Sequence, residues 1–391
     1  MDVTQVCQSA AGVALGAVGA LWIVAGLRLA TGLSRLSDLG RVVPLSDAEL
    51  PSLTIVATAR NEGARIEFAV RSLLAQDYPR CEVLIVDDRS TDTTGSILRQ
   101  LAEGVPSLRV IPVKDLPSGW VGKNHALARA AAATRSEWIL FTDADVELAP
   151  DAARRAMSLA LREGADHLAI APDLVLESLG EAVFVAYFVL VFDLSEQPWA
   201  AQDPRSNRSI GIGAFNLVRR EAYDHAGGHE AIRFELIDDL ALGRILKRSG
   251  ARQRFARHGG KIRVTWHTGA RGLIRGVEKN AFAALGFSAW FATVAVLGQL
   301  VLSLAPVGGL FLPGTAPKLG CVMAWVGIAI AYAAVGRAVR IRPWHALLMP
   351  IGALLFSFAI LESMRRTLRR GGVEWRGTFY SLADLRRGRV R

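Results

Sequence analysis

VLIVDDRSTDTTGSIL, residues 83–98, places two adjacent carboxylates, Asp87 and Asp88, directly after an apolar run. The run is too short for a typical helix and fits a buried strand, and Ser90 or Asp92 is suited to cap the helix that follows. In open α/β sheets, ligands bind outside the carboxyl ends of the strands. The stretch therefore predicts a strand, a turn and a helix whose acids face a binding crevice.

The same alternation of short apolar runs and amphipathic segments continues on both sides of this stretch. Strands are predicted at residues 53–58, 83–86, 108–113, 138–142 and 167–171. Helices are predicted between them, at residues 66–75, 94–103, 123–133 and 150–163. Strands that alternate with helices of this length indicate βαβ units, so we expect an α/β domain with a mostly parallel, Rossmann-like sheet.

The composition is too apolar for an ordinary soluble protein of this length. Of the 391 residues, 51% are hydrophobic and 21% are charged, and the mean hydropathy is +0.28. Residues 9–30 form an apolar stretch long enough to span a bilayer, with no Lys or Arg before it and with Arg28, Arg35 and Arg41 near or after its end. This charge distribution predicts an uncleaved anchor with its far side cytoplasmic, whereas a removed signal peptide would carry its positive charge before the apolar run.

Further apolar blocks lie in the last third of the chain, at residues 282–304, 319–339 and 345–361. We interpret them as membrane helices. If all of them cross, the arginine-rich tail after residue 363 ends outside, against the positive-inside rule. Because the third block is short and has Arg at both ends, we expect a re-entrant or interfacial hairpin there.

These patterns predict a chain of alternating membrane and aqueous parts. The expected parts are an N-terminal transmembrane anchor (1–32), a linker (33–51), an α/β domain (52–280), C-terminal membrane helices (281–362) and a basic tail (363–391). Within the α/β domain, residues 180–194 are apolar but short for a span, so we expect either a buried helix or, better, one in the interface plane.

The net charge of +10 arises largely from arginines beside the apolar blocks and in the tail. Such arginines follow the positive-inside rule and contact anionic lipid more often than they bind nucleic acid. The expected partner is therefore the membrane bilayer, and no nucleic acid.

Acidic pairs recur further along the chain. TDADV contains Asp143 and Asp145 directly after a predicted strand, and ELIDDLALG contains Asp238 and Asp239. Carboxylates two apart at a strand end allow one to bind Mg2+ or Mn2+, which prefer oxygen ligands shared with phosphate, while the other contacts a sugar hydroxyl. An isolated D-x-D is weak evidence, because acids at such turns also cap helices.

The order of the motifs resembles glycosyltransferase family 2, inverting enzymes with a GT-A fold that use nucleotide-diphospho-sugars. The matching segments are TIVATARNE, VLIVDDRSTDTT, GWVGKNHALARA, ILFTDADV, GIGAFNLVRREAYDHAGG and IDDLALGRILKRSG, within residues 53–250. The whole chain, with its anchor and HTGARGLIRGVEKN, looks most like the hopanoid-biosynthesis-associated branch, which is related to ceramide glucosyltransferases. The resemblance implies a GT-A catalytic domain joined to transmembrane helices.

The resemblance also implies a donor site. Its residues are Ala57, Arg60, Glu62, Asp87, Asp88, Lys123, Asp143 and Asp145. In this comparison Asp88 matches the acid that hydrogen-bonds the uracil edge, Asp143 contacts the donor ribose or sugar, and Asp145 is the ligand of the divalent cation. Ala57, Arg60 and Glu62 match the segment that cradles the nucleoside, and Lys123 matches a basic residue near the donor.

On the acceptor side, Gly213 matches the segment that lines the acceptor pocket, and Asp239 matches the last residue of an E-D pair that supplies the general base. Independently of the resemblance, inversion at an anomeric carbon requires a base opposite the leaving diphosphate, and a carboxylate in a dehydrated cleft has a suitably raised pKa. Asp238 is the competing candidate, and acids that complement a helix dipole are the alternative for both.

The leaving diphosphate requires cations, for which Lys123, Arg271 and Arg275 are candidates. Many membrane-bound relatives have Q-x-x-R-W after the E-D pair, but here RGLIRGVEKN occupies that place without a Trp, which argues against a processive polysaccharide synthase. Contact with lipid headgroups is the alternative for both arginines.

Together these features predict a multi-pass protein of a bacterial-type cytoplasmic membrane whose cytoplasmic domain transfers a sugar from a UDP-linked donor to a lipid hydroxyl, of hopanoid or isoprenoid type. The alternatives are transfer to polyprenyl phosphate, which needs no base, and a non-catalytic nucleotide-sugar-binding scaffold. The presence of Asp88, Asp143, Asp145 and Asp239 together argues against the scaffold, because a pure binder needs no base.

Overall fold

The computed structural model describes residues 3–265 and 269–390. The strands are β1 (Ser37–Asp38), β2 (Leu53–Ala59), β3 (Cys81–Asp88), β4 (Leu108–Val113), β5 (Trp138–Asp143), β6 (Val146–Leu148), β7 (His167–Ala171), β8 (Asp173–Leu174), β9 (Asn216–Arg219), β10 (Gln253–Arg257), β11 (Ile262–Val264), β12 (Gly372–Trp375) and β13 (Thr378–Ser381). The helices are α1 (Val3–Ser34), α2 (Ile66–Leu74), α3 (Thr94–Ala102), α4 (Gly122–Ala132), α5 (Ala152–Arg162), α6 (Leu179–Glu196), α7 (Pro198–Ala201), α8 (Arg220–His225), α9 (Gly228–Ala231), α10 (Asp238–Arg248), α11 (Gly269–Ala284), α12 (Ala289–Gly308), α13 (Thr315–Val339), α14 (Met349–Arg370) and α15 (Leu382–Arg387).

These elements form two compact units. The helical unit comprises α1, α6 and α11–α14, and the sheet unit comprises all the strands and the remaining helices.

The sheet unit is built on a sheet in the order β1-β10-β7-β9-β5-β2-β3-β4. All its neighbouring pairs are parallel except those of β9, which runs antiparallel to both β5 and β7. Every residue of β2 is buried, as in a parallel strand covered on both faces. The predicted α/β domain with a mostly parallel sheet is therefore confirmed.

The five strands predicted from the sequence are all present, and those at residues 108–113 and 167–171 have the predicted bounds. Helix α2 buries one face, as its periodicity predicts, with Ile66, Ala69, Val70 and Leu73 buried. The short antiparallel strand β9 and the small sheet β6-β11-β8 are not predicted by the apolar pattern.

The segment after Arg370, expected only to be a basic tail, folds as part of the sheet unit. Its strands β12 and β13 pair as an antiparallel hairpin, and Ser381 caps α15 by accepting a hydrogen bond from the Asp384 N–H. The Tyr380 ring packs edge-on against Phe234, with 5.8 Å between ring centroids. Near the end, the Val390 N–H donates to the carboxylate of Glu235.

In the helical unit, four helical segments of the described chain are long and apolar enough to cross a membrane. They are Gln8–Ser34, Ala289–Phe311, Thr315–Val339 and Pro343–Arg370. The block predicted to begin at residue 282 instead begins at Ala289, because residues 282–284 complete α11 and Ser288 caps α12. The apolar segment near residues 180–194 is the helix α6, whose Phe184 and Phe188 rings lie 6.1 Å from that of Phe356 in α14.

Helices α1 and α13 pack closely along glycines spaced seven apart. A Cβ on Gly19 would lie 2.6 Å from the carbonyl oxygen of Gly320, and one on Gly26 would lie 2.5 Å from that of Gly327. Small residues allow this approach, which strengthens dispersion contacts where no hydrophobic effect drives helix association.

Candidate functional site

The carboxyl ends of the central strands bring the predicted acids to one edge of the sheet. Asp88 is the last residue of β3, and Asp143 is the last residue of β5. Both strands flank β2, where Ala59 is in register with Asp87 and Thr58 with Asp143. The two acidic motifs therefore meet at the edge where α/β sheets bind ligands.

Lys123 links the D-x-D motif to the start of α10. Its Nζ lies 2.8 Å from an oxygen of Asp143 and 3.1 Å from an oxygen of Asp238. Burial alone would lower the pKa of Lys123, but Asp143 and Asp238, with Asp239, outweigh it and raise the pKa. Lys123 is therefore held as a buried cation between two carboxylates that are far apart in sequence.

Asp239 has different partners from its neighbour Asp238. One of its carboxylate oxygens accepts a hydrogen bond of 2.8 Å from the Gly213 N–H, and the other accepts one of 2.9 Å from the Leu240 N–H. Burial and the nearby Asp238 raise the pKa of Asp239 to about 6. Asp239 is therefore ionised at neutral pH but far more basic than an exposed aspartate.

Gly213 allows this arrangement because a side chain there would collide with the acids. A Cβ on Gly213 would lie 2.8 Å from an oxygen of Asp143 and 3.5 Å from one of Asp239. A Cβ on Gly211 would lie 1.9 Å from the backbone oxygen of Asp239. Gly211 therefore packs too closely against the start of α10 for any side chain, whereas at Gly213 the Asp143 carboxylate would have to shift.

Asp145 lies within electrostatic range of two other acids, Asp143 and Glu62. Burial, Asp143 and Glu62 together raise its pKa to about 6. A divalent cation would relieve this repulsion, and Mg2+ commonly binds one or two carboxylates together with substrate phosphates. No group of three His, Cys, Asp or Glu side chains is arranged to hold a metal in the described residues. These acids therefore fit a cation only if a bound ligand, such as a phosphate group, supplies the remaining oxygen atoms.

Asp88 is fully buried and paired with the next residue. The Arg89 Nε lies 2.8 Å from one oxygen of Asp88, and the Arg89 Nη2 lies 3.2 Å from the other. A Cβ on Gly122 would lie 2.8 Å from the Asp88 carboxylate, so the N-terminus of α4 approaches the same acid. A nucleobase bound to Asp88 would share this carboxylate with Arg89.

Residues 54–227 match the model of glycosyl transferase family 2. These residues are therefore similar to glycosyl transferase family 2. A 4,4'-diaponeurosporenoate glycosyltransferase of Staphylococcus aureus strain USA300 is 26% identical over 340 residues, covering 85% of this chain and 89% of the relative; the same enzyme of strain RF122 is 26% identical over 339 residues.

The sheet unit has a GT-A-like fold. A solved mannosyltransferase from Pyrobaculum calidifontis, in complex with GDP-Man and Mn2+, matches with a TM-score of 0.53 at 18% identity, covering 92% of this chain and 99% of that one. The predicted fold class, a GT-A domain together with candidate transmembrane helices, is confirmed. The assignment to the hopanoid-associated branch stays a prediction.

Of the other predicted site residues in the sheet unit, one lies in the core and the rest lie at or after the ends of strands. Ala57 is fully buried inside β2, so its side chain belongs to the core, whereas Arg60 and Glu62 follow the end of the strand. Asp87 accepts a hydrogen bond from the Ser90 N–H. Of the two predicted capping residues, Asp92 accepts from the Thr94 N–H at the start of α3.

The side chains of Arg271 and Arg275 lie outside the part of the chain that the structure describes, and so does His267. The backbone of both arginines belongs to α11 in the helical unit. Their predicted role beside the diphosphate stays a prediction.

The sequence patterns do not predict that residues of the C-terminal hairpin lie at the carboxyl edge of the sheet. Tyr380 accepts a hydrogen bond of 3.1 Å from the Gly122 N–H at the start of α4, and Arg89 lies 3.5 Å from the hydroxyl of Thr378. The signal for this hairpin is present in VEWRGTFY, where two strand-forming triplets flank the dipeptide Arg376-Gly377.

Proposed function

We propose that the protein is a membrane-bound, inverting glycosyltransferase that moves a sugar from a nucleotide-diphospho-sugar, taken as UDP-linked, to a lipid hydroxyl. The observation that supports it best is the contrast at the start of α10. Asp238 is neutralised by Lys123, whereas Asp239, hydrogen-bonded only by the backbone in the contacts described above, has a pKa raised to about 6. A carboxylate of that pKa is an effective proton acceptor at neutral pH.

In the proposed reaction, Asp239 accepts the proton of the acceptor hydroxyl as its oxygen bonds to the anomeric carbon. The bond from that carbon to the diphosphate breaks on the opposite face, so the configuration inverts. The Gly213 and Leu240 N–H groups fix both oxygens of Asp239, so the carboxylate need not reorient during the reaction.

The leaving group is an anion that requires compensation. Asp145, with Asp143 and Glu62 nearby, would hold the divalent cation, Mg2+ or Mn2+, which supplies charge neutralisation of the diphosphate when bound. Lys123 orients Asp143 through the 2.8 Å ion pair, so the carboxylate that meets the donor sugar is fixed before the donor binds.

For the acceptor we propose an isoprenoid lipid. The Staphylococcus aureus relative is named for a carotenoid acid, which supports the isoprenoid class of the acceptor but not a hydroxyl, because a carboxylate is itself anionic. An acceptor that is already anionic, such as polyprenyl phosphate, would not need Asp239. Replacement of Asp239 by Asn separates the two cases, because loss by orders of magnitude indicates a hydroxyl and a mild loss indicates an anionic acceptor.

We also infer a topology. Because residues 371–390 fold within the sheet unit, α14 must end on the side of the membrane where that unit lies. Residues 343–370 are long enough to cross, but an even number of crossings must separate the start of α11 from residue 371. Arginines also lie on both sides of the apolar part of α14, at positions 340, 342, 365 and 366. We therefore propose that α1, α12 and α13 cross a bacterial-type cytoplasmic membrane and that α14 does not, which leaves the arginines after α13 and α14 on the cytoplasmic side.

Single cysteines in a cysteine-free background test this topology. A cysteine replacing Gly314, between α12 and α13, should react with an impermeant maleimide added to intact cells, whereas one replacing Gly371 should react only after lysis. External labelling at position 371 would refute the proposal.

The central test is transfer of radiolabelled sugar from UDP-sugars to extracted lipid in washed membranes, with and without EDTA. We expect a labelled lipid product that disappears with EDTA and returns with Mn2+ or Mg2+. Nucleotide binding without any turnover would instead favour the non-catalytic scaffold.

A further inference from the structure

Backbone strain in the sheet unit concentrates at one place. Among its described residues, the non-glycine residues with positive φ are Asn61 (56°), Arg89 (59°) and Arg376 (48°). They follow β2, follow β3 and form the tip of the β12–β13 hairpin, respectively. A left-handed backbone is costly for such side chains, and strain of this kind concentrates at functional sites.

Arg376 is an unexpected residue for its turn. Both central residues of the hairpin have positive φ, 48° at Arg376 and 70° at Gly377, and turns of this kind favour Asn or Asp before Gly. Within the hairpin the Arg376 guanidinium lies over the ring of Trp375, 5.5 Å from the ring centroid, but this contact does not by itself require arginine at a left-handed position.

The tip of the hairpin lies against Arg60, just after the end of β2. A Cβ on Gly377 would be 3.2 Å from the Arg60 Nη2. Burial, followed by the charge of Arg89 and with a smaller contribution from Arg376, lowers the pKa of Arg60, and Arg376 in turn counteracts the raised pKa of Glu62. Three guanidinium groups from distant parts of the chain therefore lie within electrostatic range of one another.

Two of these arginines have N–H groups that lack a hydrogen-bond partner in the part of the chain that the structure describes. The Nη1 atoms of Arg60 and Arg376 are buried and have no hydrogen-bond partner among the described residues. Two acids, Asp88 and Glu62, act on these three arginines, and the N-terminus of the eleven-residue helix α4 adds a further partial positive charge beside Asp88. Buried donors without partners, in a group with excess positive charge, are suited to an anion.

Lys123 cannot supply this charge, because Asp143 and Asp238 already pair with it. We propose that the C-terminal hairpin completes the donor site, with Arg376 and Arg60 binding the diphosphate of the nucleotide donor. This rests on the proposed function and deepens it. The segment after the last membrane helix then acts as a substrate-binding element, and Tyr380, bonded to the Gly122 N–H, positions it on α4.

The sharpest test is Arg376→Asn, because asparagine suits the left-handed turn better than arginine does. A purely structural role for Arg376 predicts a less stable protein with unchanged nucleotide binding. Our proposal predicts the opposite: a thermal midpoint equal to or above that of wild type, with weaker binding of the diphosphate.

The measurement is equilibrium dialysis of radiolabelled UDP and GDP, and of uridine and guanosine, with full-length protein in detergent. For the nucleotide that wild type binds, we expect Arg376→Asn to raise the Kd of the diphosphate at least tenfold and that of the nucleoside less than twofold. Arg376→Lys should recover part of the loss, since it restores the charge without the paired donors. The matched control is Arg387→Ala, an exposed arginine of α15, which should change neither Kd.

The outcomes separate the two proposals. If wild type binds a nucleoside diphosphate and Arg376→Asn binds it within twofold as tightly, the role of the hairpin is refuted while the proposed function stands. If the nucleoside loses as much affinity as the diphosphate, the assignment to the diphosphate is refuted. If wild type binds neither UDP nor GDP, the proposed function and the hairpin site both fail.

Discussion

The two halves of the site differ in charge and in how they are built. The donor edge, at the ends of β2 and β3 and the tip of the C-terminal hairpin, contains Arg60, Arg89 and Arg376, two of them in left-handed backbone. The base corner, formed by residues 210–213 and the start of α10, contains acids packed against glycines. The first half is suited to hold an anion and the second to accept a proton, so changes in the first should weaken donor binding and changes in the second should slow turnover.

The largest expected effect is at the base corner. Asp239→Asn keeps the shape of the side chain but removes the proton acceptor, so kcat for a hydroxyl acceptor should fall by about 10³-fold. The Kd of the donor should stay within about threefold, which dialysis with labelled UDP measures. Asp224→Asn, in the exposed part of α8, is the matched control. A parallel loss of donor affinity would show that the two halves are not separate.

Lys123 joins the D-x-D motif to the base corner, and its removal should destabilise the sheet unit. Lys123→Ala leaves the carboxylates of Asp143 and Asp238 close together without their cation, at a cost of about 3–5 kcal/mol. We expect the thermal midpoint in detergent to fall by about 10 °C. Arg71→Ala removes an exposed ion pair with Glu67 and should leave the midpoint within about 2 °C. Equal midpoints for both variants would contradict a structural role for Lys123.

The pH dependence of the turnover rate should arise from Asp239 alone. Because the pKa of Asp239 is raised to about 6, the ionised, proton-accepting form is lost as pH falls through that value. The rate with saturating donor should therefore drop about tenfold per pH unit below about pH 6. Residual turnover of Asp239→Asn should lack this inflection. An inflection that persists in the variant would assign it to another group, such as Asp145, whose pKa is also about 6.

The smallest expected effect is at Gly213. An added methyl group would meet a side-chain oxygen of Asp143 at 2.8 Å, and a small rotation of that carboxylate about its ion pair relieves the contact, so Gly213→Ala should reduce turnover only several-fold. Gly211→Ala should be far more damaging, because there the methyl group meets backbone of α10 at 1.9 Å. Expression level and initial rate distinguish the two. Comparable behaviour of both variants would mean that the loop is less tightly packed than the contacts indicate.

Much of this fold could be predicted from the sequence because buried parallel strands are continuous apolar runs. The acids at the ends of β3 and β5 follow such runs directly, so their shared edge follows from topology alone. The short strand β9 escapes prediction because it contains only two apolar residues, Leu217 and Val218, between Asn216 and Arg219. The Asp88–Arg89 pair depends on a left-handed residue, which no apolar pattern reveals.

The hairpin was missed for a different reason. Its position after an arginine-rich membrane helix suggests lipid contact, and its turn has Arg where Asn is favoured. Arg376 suits the proposed binding site but not the turn, so the sequence lacks the Asn-Gly pattern by which a hairpin is predicted.

The glycine contacts between α1 and α13 also have a consequence for biogenesis. A ribosome makes the chain from the N-terminus, so α1 enters the bilayer long before its partner exists. Until α13 emerges, the glycine face of α1, including Gly19 and Gly26, borders lipid instead of another backbone. During that interval the nascent helix is open to wrong partners, and an insertase that shields such faces would raise the yield of the finished protein.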